Sequence, residues 1–111
     1  MEIQVTQASE VTVVVPKGDL DTASAAQMKQ TLGALLDAGK TRLVVDLGGV
    51  AYMDSAGLGQ LVNAMKLARK AGGDLRLCAL SEETLRVFKT TRLNKEMALY
   101  PTRQAAIASW R

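Results

Sequence analysis

The segment Met53-Asp54-Ser55-Ala56-Gly57-Leu58-Gly59 is where residue types and spacing could do chemistry. It sets a carboxylate beside a hydroxyl at what reads as a helix start. Asp and Ser both cap helices well, so capping alone accounts for the pair. The glycines need another reason. Gly57 and Gly59 fall in the first turns, where each costs about 1 kcal/mol relative to alanine, and simple capping does not require them. A bare backbone there lets another chain or a charged group come close. A helix start with free N–H groups also favours an anion, and a phosphate on Ser55 is one such anion. Two other motifs fail. A nucleotide P-loop needs Lys after its last glycine, and Gln60 follows Gly59. The esterase elbow needs glycine two residues before its serine, where Met53 stands.

The rest of the composition argues against catalysis. The 111 residues include no histidine. The commonest general base and every Ser-His-Asp or Cys-His arrangement are therefore missing, leaving only carboxylates and lysines. With Cys78 as the one cysteine, a structural zinc site lacks ligands, and an internal disulfide is impossible. Cys78 sits in an apolar run and reads as a small buried hydrophobe. The expectation is a protein that is not an enzyme and has no cofactor or metal. The net charge of +3 is uneven: residues 1–65 carry 4 basic and 7 acidic side chains, and residues 66–111 carry 10 and 4. The basic ones, such as Arg86, Lys89, Arg92 and Lys95, are spaced singly, and aromatics total one Phe, two Tyr and one Trp. Stacking platforms for bases need aromatics, so a solvated face or a protein-facing surface fits better than nucleic acid. No basic-then-apolar leader opens the chain, and no apolar run approaches a membrane span. The expected location is cytoplasmic.

The elements that must position the segment follow from periodicity. Ile3–Thr6 and Val11–Val15 are β-branched runs joined by a short polar stretch, which predicts a hairpin. Gly18-Asp19-Leu20-Asp21 is a loop. Asp21 or Thr22 caps a helix over about residues 23–38, with Met28, Leu32, Leu35 and Leu36 on its inner face and Gly39 as its stop. Leu43–Leu47 reads as a strand buried on both faces. Asp54-Ser55 opens the next helix, whose stripe is Leu58, Leu61, Val62, Met65 and Ala68. Lys66, Arg69 and Lys70 suit the dipole at its end, and Gly72-Gly73 ends it. Leu75–Leu80 is a strand, Ser81 caps a third helix, Met97–Tyr100 is a last strand, and Thr102 caps a terminal helix. The order ββαβαβαβα predicts one α/β domain over residues 1–111. Its sheet is mixed, mostly parallel and about five-stranded, with helices mainly on one face.

In this order the residues resemble the STAS domains, and more narrowly the bacterial anti-sigma factor antagonists. The resemblance rests on Asp54-Ser55-Ala56-Gly57-Leu58-Gly59 after Val50-Ala51-Tyr52-Met53. It extends to Gly18-Asp19-Leu20-Asp21, Val44-Val45-Asp46-Leu47, Gly72-Gly73 and the helix at Ser81. It implies partner switching. The unphosphorylated antagonist binds an anti-sigma factor that is commonly also a serine kinase of the histidine-kinase-like ATPase fold, which then frees its sigma factor. Phosphorylation of the serine after the aspartate, here Ser55, releases the antagonist, and a PP2C-type phosphatase resets it. The partner-binding set is then Asp21, Asp54, Ser55, Gly57, Leu58 and Gly59. Asp21 resembles the aspartate of the family's G-E-L-D loop, with Asp19 in place of the usual Glu, and it equally serves as an N-cap. Asp54 either orients the Ser55 hydroxyl, holds the loop or caps. Leu58 either meets a partner or fills the core, and Tyr52 and Met53 read as packing. Nucleic acid and membrane are not expected partners. The competing reading is a STAS subunit of a lipid- or anion-transport complex; a nucleotide-binding reading of the glycines ranks behind both.

Overall fold

A computed structural model describes residues 1–110. The β-branched N-terminus forms β1 (Glu2–Ala8) and β2 (Val11–Lys17), an antiparallel pair in which Val5 faces Val14. Then follow α1 (Thr22–Asp37), β3 (Arg42–Asp46), α2 (Ser55–Lys70), β4 (Asp74–Cys78), α3 (Glu82–Thr90), β5 (Leu99–Tyr100) and α4 (Arg103–Ala108). The strands lie side by side in the order β1-β2-β3-β4-β5, and every pair from β2 onward is parallel. This is the mixed five-stranded sheet predicted from the pattern.

Strand alternation divides the core into two layers. Leu43 and Val45 of β3 point to one face, where they meet Met28 and Leu32 of α1, Leu61 and Met65 of α2, and Phe88 of α3. Val44 points to the other, where Val13, Val15, Cys78 and Ala106 of α4 pack together. Helices α1–α3 thus cover one face, and the short α4 covers part of the other. Burial of each large side chain in such a layer is worth about 1.5–3 kcal/mol. Arg103 Nε reaches Asp46 Oδ2 at 2.9 Å at the start of α4, and just past its end Arg76 donates to Ser109 Oγ at 2.7 Å and lies 3.8 Å from the Trp110 ring centre. Cys78 is buried, and its thiol is pushed up to about 12, chiefly by burial, so it is inert at neutral pH.

Gly39 and Gly72, both with positive φ, follow α1 and α2 where the sequence places their stops. Two expected strands are shorter. The one read over Leu75–Leu80 ends at Cys78, where Ala79 turns to positive φ. The strand predicted over Met97–Tyr100 is reduced to Leu99–Tyr100, because Leu93–Lys95 forms a single 3₁₀ turn. The Met97 N–H closes back on the Leu93 carbonyl at 2.8 Å. Met97 is then committed to the core rather than to the sheet.

Because β2, β3 and β4 run parallel, the helices that follow them all start at one end of the sheet. The loops carrying Asp21, Ser55 and Ser81 therefore share one rim.

Candidate functional site

The two loops that carry Asp21 and Asp54 are zipped together past the ends of β2 and β3. The Gly18 N–H donates to the Gly49 carbonyl at 3.0 Å, and the Leu20 N–H to the Tyr52 carbonyl at 2.9 Å. The Asp54 N–H donates back to the Leu20 carbonyl at 3.2 Å, completing an isolated parallel bridge between Leu20 and Met53. Leu20 and Met53 are buried, so the junction is anchored in the core.

On this base Asp54 works in two directions. Its Oδ1 accepts from the Ala56 and Gly57 N–H groups at 2.9 and 3.0 Å, capping α2. Its Oδ2 accepts from the Thr22 N–H at 2.9 Å and the Thr22 hydroxyl at 3.0 Å. One carboxylate thus satisfies donors at the starts of two helices that are 32 residues apart in sequence. These donors hold the carboxyl below its ordinary 3.8. The Gly57 N–H has the largest effect and the Thr22 groups and the Ala56 N–H add to it, against partial desolvation. Asp54 is charged throughout the physiological range. Of the three roles open to it from sequence, it caps and it holds the loop; it makes no hydrogen bond to the Ser55 hydroxyl.

Ser55 is the first residue of α2 and is exposed. Among the described residues its hydroxyl has no protein partner. The two N–H groups best placed to receive an anion, those of Ala56 and Gly57, are already taken by Asp54. The free anion site expected at this helix start is therefore largely filled from within.

Asp21 caps α1 in a closed capping box. Its Oδ1 accepts from the Ser24 N–H at 3.1 Å, and its own N–H donates to Ser24 Oγ at 3.0 Å. The Ser24 hydroxyl donates to the Asp19 carbonyl at 2.7 Å. Asp21 and Asp54 are brought together through Thr22, which follows the first and bonds the second.

The two glycines part company. A Cβ on Gly57 would stand 2.1 Å from the Leu20 carbonyl oxygen, so the bare backbone expected to admit another chain is filled by the protein's own loop. Gly59 is exposed, and a Cβ there would meet nothing within 4 Å. Leu58 is 9% exposed and packs in the main core, so its side chain faces inward. Met53 packs as expected, but Tyr52, three residues before Ser55, does not: it is 53% exposed. Sequence reasoning passed over Tyr52, whose apolar neighbours gave no sign that it turns outward. It also missed the link from Thr22 to Asp54, which only the zipped loops reveal. Among the described residues no three His, Cys, Asp or Glu side chains converge as metal ligands would. Among the described residues no helix is long and apolar enough to cross a membrane.

The monotone mixed sheet, with an aspartate-capped serine at the β3–α2 junction, defines a class. Residues 2–106 match the STAS domain, and the chain belongs to the STAS domain family. Within it, the chain is similar to proteins named as anti-sigma factor antagonists. It is 41% identical over 76 residues to the anti-sigma-B factor antagonist of Bacillus subtilis (strain 168), which covers 68% of this chain and 69% of that one. A crystal structure of an anti-sigma factor antagonist from Mycobacterium paratuberculosis superposes with a TM-score of 0.89 at 30% identity, covering 97% of this chain and 92% of that one. The Bacillus cell fate determinant SpoIIAA, solved in its phosphorylated form, shares the fold with a TM-score of 0.77 at 23% identity, over 99% of this chain and all of that one.

Proposed function

We propose that this chain is an anti-sigma factor antagonist that works by partner switching, with Ser55 as the switched residue. Unphosphorylated, it binds an anti-sigma factor that is also a serine kinase of the histidine-kinase-like ATPase fold. That partner then releases its sigma factor or other client. Phosphorylation of Ser55 ends the binding, and a PP2C-type phosphatase restores it. The chain is substrate and ligand rather than catalyst, and it acts in the cytoplasm. The partner surface is centred on Asp54 and Ser55, with Asp21 and Gly59 on its rim. Gly57 and Leu58 contribute by fixing the backbone of the α2 start.

The observation that carries this reading is the state of the Ser55 hydroxyl: exposed, without a hydrogen-bond partner among the described residues, and on the first residue of a rigidly capped helix. A kinase can reach it without unfolding anything. A phosphate adds about −1.5 to −2 charges at that point. The α2 dipole favours it by about 0.3–1 kcal/mol, while the charged Asp54 beside it opposes it and has taken the nearest N–H groups. In water this balance is small, so the fold has no cause to rearrange. Against a partner the same charge is stripped of water, and an unpaired buried charge costs about 2–5 kcal/mol. Since about 1.4 kcal/mol is tenfold in affinity, that is enough for release. The transport-complex reading is less supported, because the relatives that show the family carry the other name.

The test is intact mass after incubation with ATP and a candidate partner kinase of the histidine-kinase-like ATPase fold from the same genome. Wild type gains one phosphate and Ser55→Ala gains none; equal gain by both, or none by either, sinks the Ser55 assignment. In the companion measurement Ser55→Asp weakens binding to the same ATPase while its circular dichroism stays that of wild type. Retained affinity would argue against release by charge.

A further inference from the structure

The geometry points to Tyr52, with the cleft beside it, as the apolar anchor of the partner interface; the partner segment seated there presents an apolar side chain flanked by basic residues. The inference rests on the partner-binding reading above and specifies the chemistry of that partner. The first observation is the ring itself. Among the described residues only Val5, Tyr52 and Leu67 are large hydrophobics left exposed, and Tyr52 alone lies on the loop that carries Ser55. Its backbone is not free to tuck the ring away. The Tyr52 carbonyl accepts from the Leu20 N–H, and the next residue, Met53, is 5% exposed and bridged to Leu20. Tyr52 is thus held outward before any partner arrives. A pre-positioned aromatic with few torsions to freeze is the side chain that most often carries interface energy.

The second observation is the cleft. A mainly apolar depression of about 180 Å³ lies between the loop and α3, lined by Ala51, Tyr52, Met53, Thr84 and Val87, with Glu83 at its edge. That is room for one aliphatic side chain or part of a ring, too little for a cofactor.

Charge selects the occupant. The loops and helix starts at this end of the sheet hold Asp19, Asp21, Asp54, Glu82 and Glu83, against Lys17 beside Gly49 and Arg86 one residue before Val87, so the acidic side chains are in excess. A separate basic group, Lys66, Arg69 and Lys70, lies toward the far end of α2. Part of the acidity answers the three helix dipoles that start here. The remainder disfavours a second copy of this rim, which would set acid against acid, and suits a basic segment. Such a segment is drawn in by the rim and held by Tyr52, so the anchor and the phosphate switch, three residues apart in sequence, have separate roles.

The experiment measures binding of the whole chain to the same ATPase by calorimetry at two salt concentrations, with Ser55→Asp as the control on the underlying reading. Tyr52→Ala is expected to weaken binding about 30-fold with an unchanged thermal midpoint, as loss of an interface hot spot does. Tyr52→Phe, which keeps the ring, stays within about threefold of wild type. Glu83→Lys weakens binding several-fold at low salt and little at high salt, where rim charges are screened. Tyr52→Ala binding like wild type while Ser55→Asp releases would overturn the anchor and leave the switch intact. Failure of wild type to bind, or full binding by Ser55→Asp, would overturn the switch and this inference with it. If sedimentation showed that the chain alone dimerises and that Tyr52→Ala abolishes the dimer, the occupant would be a second copy, and the basic partner segment would be refuted.

Discussion

Two helices of this molecule begin with nearly the same four residues and end up with opposite local chemistry. Asp21-Thr22-Ala23-Ser24 opens α1, and Asp54-Ser55-Ala56-Gly57 opens α2. Each has aspartate at the cap, a hydroxyl at the first helical position and alanine at the second. At the third position α1 has Ser24, which is 8% exposed and closes a reciprocal box with Asp21. At that position α2 has Gly57, pressed against the Leu20 carbonyl, so no reciprocal box forms. At the first position the Thr22 hydroxyl is spent on Asp54, whereas the Ser55 hydroxyl bonds to none of the described residues. The α1 start is closed upon itself and also serves as a buttress for α2. The α2 start is held just as firmly, but from behind, which leaves its outer side open. A modifiable residue needs that combination: accessible chemistry on a backbone that does not move when charge is added.

The largest effect that would break this comparison lies at the third position. Gly57→Ala puts a methyl group into the Leu20 backbone, which cannot rotate away, so the zipped loops must separate. A loss of about 2–3 kcal/mol of unfolding free energy is expected in urea titrations. The paired measurement is Gly59→Ala, which meets nothing and replaces a poor helix former, so it should gain about 0.5–1 kcal/mol. Equal effects at the two glycines would refute the close approach as the reason for Gly57.

Next come the caps. Asp21→Ala opens the α1 box and should cost about 1 kcal/mol. Asp54→Ala removes the acceptor for donors on both helices and should cost more than Asp21→Ala. The difference should shrink when Thr22→Val is already present, since the two share one contact. Acid titration sharpens the same point. The Asp54 carboxyl is held below its ordinary 3.8 in the fold. Its stabilising contribution is therefore complete above that value and is lost as pH falls through the lower, folded one. Asp54→Asn should flatten stability against pH in that acid window and leave it unaltered between pH 6 and 8. A curve as steep as wild type would remove the charge on Asp54 as the cause.

Much of this arrangement was legible in the residues. Periodicity and β-branching set out the element order, and Asp54, Ser81 and Thr102 announced three helix starts, because capping is a local act written within three or four positions. What lay beyond reading is what depends on the sheet bringing distant loops together. Gly57 and Leu20 meet across 37 positions, and the Thr22 bonds to Asp54 span 32, so neither leaves a trace in local pattern. Tyr52 was misplaced for a similar reason. An aromatic between Ala51 and Met53 looks like packing until the bridge at Met53 fixes which way the strand-like loop faces. The shortened last strand has another cause: a single 3₁₀ turn, too short to show a period, drew Met97 out of the sheet.

The smallest expected effect is the most diagnostic. At the first helical position, Thr22→Val deletes a hydroxyl bonded to a charged carboxylate, and about 1 kcal/mol should go with it. Ser55→Ala deletes a hydroxyl that bonds none of the described residues and supplies a better helix former. Stability should hold within about 0.5 kcal/mol, with any change in the direction of a gain. The two substitutions strip the same group from the same position of sister motifs, so their difference isolates what the structure does with each hydroxyl. A stability loss at Ser55 matching that at Thr22 would mean that Ser55 is a structural cap like its counterpart. A silent Ser55→Ala in the unfolding curve, joined to loss of phosphate uptake, would place its chemistry outside the fold's own needs.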